Sequence, residues 1–255
     1  MARATVLGAG SWGTTLGLVL DENGHEGVMW EYDPDQVAAI LRDRENRKFL
    51  PDVPIADSIG VTNNLPEALE GASATVFAVP SHAVRGVARV AAPHLSPATL
   101  TVNVAKGIEN DTLLRMSEVL AEELGRPEAE RIGSLVGPSH AEEVSCRLPT
   151  TVVAAAREEA TAAEIRDLFI TEYLRVYTNT DLVGVELGVS LKNIIAIAAG
   201  ICDGLGFGDN TKGALLTRGL AEITRLGVAM GGRLETFAGL SGMGDLITTC
   251  CSRHS

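Results

Sequence analysis

With 255 residues, 45% of them hydrophobic, the chain can bury a substantial core as one large domain or two ordinary ones, which excludes a disordered protein. Its 33 acidic against 21 basic side chains leave a net charge of -12, which repels nucleic acid and anionic membranes, so any anionic ligand must be held by a local cluster of positive groups. Cys146, Cys202, Cys250 and Cys251 contain no CxxC pair and no zinc-like spacing with histidine, so free thiols in a reducing compartment and no structural metal are expected.

The first residues run straight into a strand-like stretch with no basic leader ahead of an apolar segment, and no uninterrupted apolar run is of bilayer-spanning length. These features predict a soluble, cytoplasmic chain. Up to about residue 180, short β-branched runs alternate with amphipathic segments, the pattern of a parallel sheet flanked by helices. The predicted strands are Ala4 to Gly8, Val28 to Glu31, Ala74 to Val79, Leu100 to Ala105, Ile132 to Val136 and Thr151 to Ala155. Several are apolar almost throughout, as strands covered on both faces should be. Helices are predicted over Thr14 to Asn23 and Leu113 to Leu124, ending at Gly24 and Gly125 as glycine C-caps.

From about Asp181 the pattern changes, with Leu187, Leu191, Ile194, Ile195 and Ala198 at helical spacing and no later strand. The fold class expected is α/β, a doubly wound Rossmann sheet over 1–180 followed by an all-α part over 181–255. The last residues, Thr248 to Ser255, carry neither a helix cap nor a polar tail and read as an interruption.

Between the first strand and first helix stands Gly8-Ala9-Gly10-Ser11-Trp12-Gly13, a GxGxxG sequence. There Gly8 permits the tight turn, Gly10 lets the backbone approach a pyrophosphate, and Gly13 lets helix and strand pack closely. The helix N-terminus offers free amides to the phosphates. Glu31, about 20 residues on at the end of the second strand, is placed to accept hydrogen bonds from an adenine ribose and to repel a 2'-phosphate. NAD is therefore favoured, with NADP not excluded. Glu31 can also be read as a solvated loop acid, with Asp33 competing for the role.

Four further segments place polar groups where a core would not. Lys106, in Val104 to Glu109, stands at the end of a buried strand, the edge where doubly wound sheets bind ligands, although a strand-end lysine is commonly a surface charge. Gly137-Pro138-Ser139-His140-Ala141 follows the next strand as a constrained turn, in which Ser139 would serve as a helix N-cap. Lys192 and Asn193 interrupt an apolar helix; Gly188, Ala196 and Ala199 share the face of Lys192 and would leave room for a ligand. A partly enclosed lysine has its pKa depressed if desolvation dominates, bringing it toward proton-transfer range. Asp245 and Thr249 lie at i and i+4, on one face if helical, with an acid at a helix N-terminus as the alternative account of Asp245.

Together, GAGSWG, NVAKGIE, VGPSHAEEV, GVSLKNIIAIAAG, GFGDNTKGALLTRGL and SGMGDLITTCCSRHS, in this order, resemble the NAD(P)-dependent glycerol-3-phosphate dehydrogenases over essentially the whole chain. The resemblance implies an N-terminal dinucleotide-binding domain, with Gly8, Gly10, Ser11, Trp12, Gly13, Glu31, Lys106 and Ala141 at the cofactor, and a helical substrate domain. It also implies Lys192 as the proton donor and acceptor at the substrate C2 oxygen, with Lys106 polarising the substrate beside it. Gly137 and Ser139 would contact the substrate, Asn193, Asp245 and Thr249 would complete the polar wall, and Ser255 would begin the phosphate-binding element. The family pattern continues past Ser255 into an Arg-Asn pair and further helices, so the C-terminal part is expected to be truncated. Members often carry a basic residue after the second strand; Glu31-Tyr32-Asp33 departs from this toward NAD.

The reaction implied is reversible hydride transfer between NAD(P)H and dihydroxyacetone phosphate, giving sn-glycerol 3-phosphate for glycerophospholipid synthesis. The partners expected are a small phosphate substrate, with a homodimer left open and no nucleic acid or integral membrane association. Two readings compete with it: another two-domain hydroxy-acid or sugar-phosphate dehydrogenase, and a non-catalytic NAD-binding regulator.

Overall fold

Strand β1 (Arg3–Leu7), buried over four of its five residues, delivers the chain into the glycine-rich turn from which helix α1 (Ser11–Glu22) starts. Residues 2–126, 129 and 131–252 are described in this computed structural model. Strand β2 (Glu26–Trp30) returns beside β1 in parallel register, Leu7 opposite Trp30. Helix α2 (Pro34–Asp43) begins with Pro34 in its first turn and Asp33 as N-cap, accepting from the Asp35 amide, so Asp33 is committed to capping. A short hairpin of β3 (Glu45–Asn46) and β4 (Leu50–Pro54) and the edge strand β5 (Gly60–Thr62) follow, none of them foreseen from hydropathy. They are too short or too exposed to show alternation.

Helix α3 (Leu65–Leu69) leads to β6 (Ala74–Phe77), α4 (Val84–Ala91), β7 (Leu100–Asn103), α5 (Met116–Glu123) and β8 (Ile132–Val136). β6, β7 and β8 are buried along their full lengths, as strands between two helical layers must be. Gly24 and Gly125, expected to end α1 and α5, have φ of 74° and 64° just past those helices.

After the short α6 (Ala141–Ser145) the chain reverses. Strand β9 (Thr150–Ala156) lies antiparallel to β8, and β10 (Leu174–Asn179), reached through α7 (Glu159–Phe169), lies parallel to β9. The sheet therefore runs β10-β9-β8-β7-β6-β1-β2-β5 and is mixed rather than wholly parallel. The connection from β8 to β9 carries only the short α6, and β9 returns directly beside β8 as its antiparallel neighbour.

Beyond β10 come α8 (Leu182–Gly204), α9 (Asp209–Ala229), α10 (Leu234–Phe237), a π-helical turn (Leu240–Gly244) and α11 (Asp245–Cys251). The Asp181 side chain caps α8 through the Gly184 amide and also accepts from the Arg233 amide and the Thr236 hydroxyl, tying α8 to α10. Leu182, Val185 and Val189 pack on Val136, Val153 and Ala155, so α8 rests on β8 and β9. α8 is long and apolar enough by composition to cross a bilayer, with a mean hydropathy of 1.7 over its most apolar window, half of which is buried inside the protein, but Glu186 and Lys192 interrupt its apolar run. Of its three charged side chains, Glu186 and Lys192 are paired in the interior and Asp203, near the far end, pairs with Lys212 at the surface, which marks it as a core helix.

Candidate active site

The turn after β1 has the close geometry that the GxGxxG spacing requires. Gly8 has φ of 107°, and a Cβ there would lie 2.8 Å from the Ala78 carbonyl oxygen; one on Gly13 would lie 1.9 Å from that of Gly8. Around Gly10 nothing would meet a Cβ within 4 Å, leaving the backbone open to a ligand at the N-terminus of α1. A cleft of about 520 Å³ opens there, lined by Gly8, Gly10, Glu31, Lys48, Phe49 and His82 among others. This cradle fits a dinucleotide. Ser11 and Trp12 are half-buried at its helix start, and the Ala141 carbonyl accepts from Thr15 of α1 at 3.4 Å, placing Ala141 beside that helix.

Glu31 lines the cleft but is not a solvated acid. It is 7% exposed, and its oxygens accept from the Ala9 amide at 3.1 Å and the Asp33 amide at 3.3 Å, so it also braces the glycine turn. Asn46 of β3, fully buried, braces the other side: its amide donates to the Ala9 carbonyl at 2.7 Å and the Thr14 hydroxyl at 2.8 Å, while its oxygen accepts from Gln36 at 2.8 Å. Sequence reading missed Asn46, Lys48 and His82, which lie in segments without periodicity. Lys48 stands over the Phe49 ring, 4.9 Å from its centroid.

At the same carboxyl edge of the sheet, three charged groups meet. Lys106 Nζ donates to the Gly137 carbonyl at 2.9 Å and to both Asp245 oxygens at 3.1 and 3.0 Å. Lys192 Nζ pairs with Asp245 Oδ1 at 2.8 Å and donates to the Thr249 hydroxyl, which itself donates to the Asp245 carbonyl. Asp245, 2% exposed in the first turn of α11, is both an acid at a helix N-terminus and a bridge between two lysines. Burial holds Lys192 well below an ordinary lysine, at about 8, with the Lys106 charge pushing the same way and Asp245 opposing.

Other expectations are corrected. Gly188 does not leave room for a ligand: a Cβ there would sit 2.7 Å from the Ser241 carbonyl oxygen, and Ala199 packs with Leu246 and Cys250. The small residues instead admit the backbone that carries Asp245 to Lys192. Ser139 is not a helix N-cap; His140 occupies that position without a side-chain cap bond, and Ser139 donates to the Gly137 carbonyl at 3.2 Å. Asn193 is exposed, outside the hydrogen-bonded cluster of its neighbour, because one step along a helix turns a side chain by about 100°. Ser255 lies outside the described residues. A separate cavity of about 590 Å³ between α5 and the start of α8 contains none of the expected site residues.

Comparison with known proteins shows the family. Residues 3–162 match the family described as NAD-dependent glycerol-3-phosphate dehydrogenase N-terminus, and residues 181–255 the corresponding C-terminus. The chain is 55% identical over 253 residues to the glycerol-3-phosphate dehydrogenase [NAD(P)+] of Pelotomaculum thermopropionicum, covering 99% of this chain and 72% of that protein. It is 52% identical over 255 residues to that of Bacillus subtilis, covering 100% and 74%. The crystal structure of glycerol-3-phosphate dehydrogenase from Coxiella burnetii superposes with a TM-score of 0.94 at 38% identity, over 100% of this chain and 77% of that one. With its cofactor cleft and lysine cluster at one sheet edge and both halves of the sequence matched, the chain belongs to the NAD-dependent glycerol-3-phosphate dehydrogenase family.

Proposed function

We propose that the Lys106–Asp245–Lys192 cluster is the reaction centre for interconverting dihydroxyacetone phosphate and sn-glycerol 3-phosphate. The observation that carries this is Asp245, which holds two lysines together at the ligand-binding edge of the sheet. The dinucleotide, held by the glycine turn and the α1 amides, supplies the hydride.

In the reductive direction, protonated Lys192 gives a proton to the oxygen developing charge at C2, using the N–H that neither Asp245 nor Thr249 engages. Lys106 stabilises the same charge electrostatically, and Gly137 and Ser139 line the approach beside it. In the oxidative direction, neutral Lys192 takes the hydroxyl proton. With Lys192 at about 8, reduction weakens as pH rises through that value and oxidation strengthens. The two ammonium groups also explain how a chain of net charge -12 attracts a phosphate ester, since near charges outweigh a screened acidic surface.

Residues 1–180 form the cofactor-binding part and 181–255 the substrate part in this reading, with Ser255 beginning the phosphate-binding element and Asn193 joining Asp245 and Thr249 in the polar wall around the substrate hydroxyls. Glu31 disfavours a 2'-phosphate and selects NADH; Lys48, lining the same cleft, is the competing cation. The enzyme is cytoplasmic, a homodimer is compatible with it, and its product feeds glycerophospholipid synthesis. Lys192→Ala tests the mechanism: turnover falls by about 10²- to 10⁴-fold while NADH binding persists. Unchanged turnover would remove Lys192 from the chemistry, and NADH binding without turnover in the parent chain would favour a binding module.

A further inference from the structure

Glu186, on α8 six residues before Lys192, is buried and stands apart from the lysine cluster. Its carboxylate accepts from Arg115 Nη1 at 2.7 Å, Ser117 Oγ at 2.6 Å, the Ser117 amide at 3.0 Å and Ser134 Oγ at 2.8 Å. These donors belong to the start of α5 and the middle of β8. The Ser134 hydroxyl accepts in turn from Asn103 Nδ2 at 3.3 Å. Asn103 then shapes the turn just before Lys106, accepting from the Ala105 amide and donating to the Ala105 carbonyl, both at 3.0 Å.

A continuous hydrogen-bonded chain thus joins the backbone beside Lys106 to the helix that carries Lys192. The heights match as well. Six residues of α8 beyond Glu186 rise about 9 Å, and three residues of extended chain beyond Ser134 reach about 10 Å, to the Gly137 carbonyl that holds Lys106. A buried ion pair contributes little stability over an apolar replacement, whereas a fully satisfied polar network specifies one arrangement.

We propose that Glu186 is a positioning residue that sets the spacing between Lys106 and Lys192, by locking α8 to β8 and, through Ser134 and Asn103, to the Lys106 turn. This rests on the two-lysine reading of the reaction centre. Lys192 faces Lys106 and Asp245, and Glu186 faces Arg115, so the spacing can be altered without changing any charge.

Glu186→Ala removes the buried carboxylate partner of Arg115, leaving it only the more exposed Glu118, and endangers folding. Ser134→Ala and Asn103→Ala each remove one neutral link and leave Arg115 paired, so they carry the test, with thermal melting to verify the fold. Expected in each is a fall in turnover of about ten- to a hundredfold at unchanged KM for NADH. The Lys192 titration midpoint, read by competitive acetylation and peptide mass spectrometry without substrate, should move upward because a displaced Lys106 depresses it less. The double variant should fall no further than the single ones, since both cut the same path. A fixed midpoint in both variants, or losses that multiply, would reduce Glu186 to a packing role. A midpoint that moves while the parent chain shows no turnover would retain the positioning role and overturn the reaction reading.

Discussion

Replacing Lys106 by Met removes one of the two positive charges on Asp245 and should raise the Lys192 titration midpoint. Both ammonium nitrogens lie near Asp245 Oδ1, at 3.1 and 2.8 Å, so they are no more than about 6 Å apart. Two like charges at that separation repel by roughly 0.7 kcal/mol at the dielectric constant of water and roughly 3 kcal/mol at an effective value near 20. That corresponds to between about half a unit and two units of pKa. Lys106 is 27% exposed along its side chain and Lys192 6%, an intermediate environment, so a rise of about one unit, from about 8 to about 9, is expected. The assay is NADH consumption with dihydroxyacetone phosphate across the neutral to alkaline range, paired with acetylation of Lys192. Reductive turnover should be slower throughout yet persist to higher pH, because Lys192 stays protonated longer. A midpoint that stays put or falls would refute the electrostatic coupling of the lysines.

Gly13→Ala puts a methyl group where a Cβ would lie 1.9 Å from the Gly8 carbonyl oxygen; a loss of about 1–3 kcal/mol and weakened NADH binding are expected, and an unchanged melting temperature would contradict the packing argument. Glu31→Gln keeps an acceptor for the Ala9 amide but removes the charge, so the NADH over NADPH preference in kcat/KM should fall about tenfold or more. An unaltered ratio would transfer selectivity elsewhere in the cleft. Arg85 binds Glu109 and Glu123 and, first among the causes, holds Glu109 down at about 2. A depressed carboxylate contributes stability above its unfolded pKa and loses it as pH falls through the folded one, so Arg85→Met should shift acid unfolding, followed by circular dichroism, to higher pH. The effect is modest because the pair is partly exposed.

The elements that the sequence displays are those buried on both faces. β1, β6, β7 and β8 read as apolar runs because each is sandwiched between helices, and the glycine turn reads from spacing because close approaches at Gly8 and Gly13 leave no alternative residue there. β5 and the β3–β4 hairpin are short and partly solvated, so they carry no period, and β10 alternates buried and exposed residues over only part of its length. Lys192 stood out as a cation within an apolar helix. Asp245 stood out too, through its spacing with Thr249, but its pairing with Lys192 did not, because their meeting depends on the π-helical turn entering the groove above Gly188, which no local pattern encodes. Asn46 and Glu186 were hidden for a related reason: a buried polar residue is recognised by what surrounds it, and its hydrogen-bond partners lie far away in sequence.

The reversal of the sheet at β9 governs where insertions can be tolerated. Because β9 and β10 run opposite to the other strands, α8 starts at the sheet edge remote from the cofactor turn and passes the lysine cluster midway along its length. From Asp181 to Lys192 the helix therefore acts as a ruler, anchored at its foot by Thr236 and the Arg233 amide. One residue added or removed in that stretch moves the ammonium by about 1.5 Å and swings it through about 100°. Change in length should thus be confined beyond Lys192, toward the exposed bend between α8 and α9, where Leu205 and Phe207 face solvent.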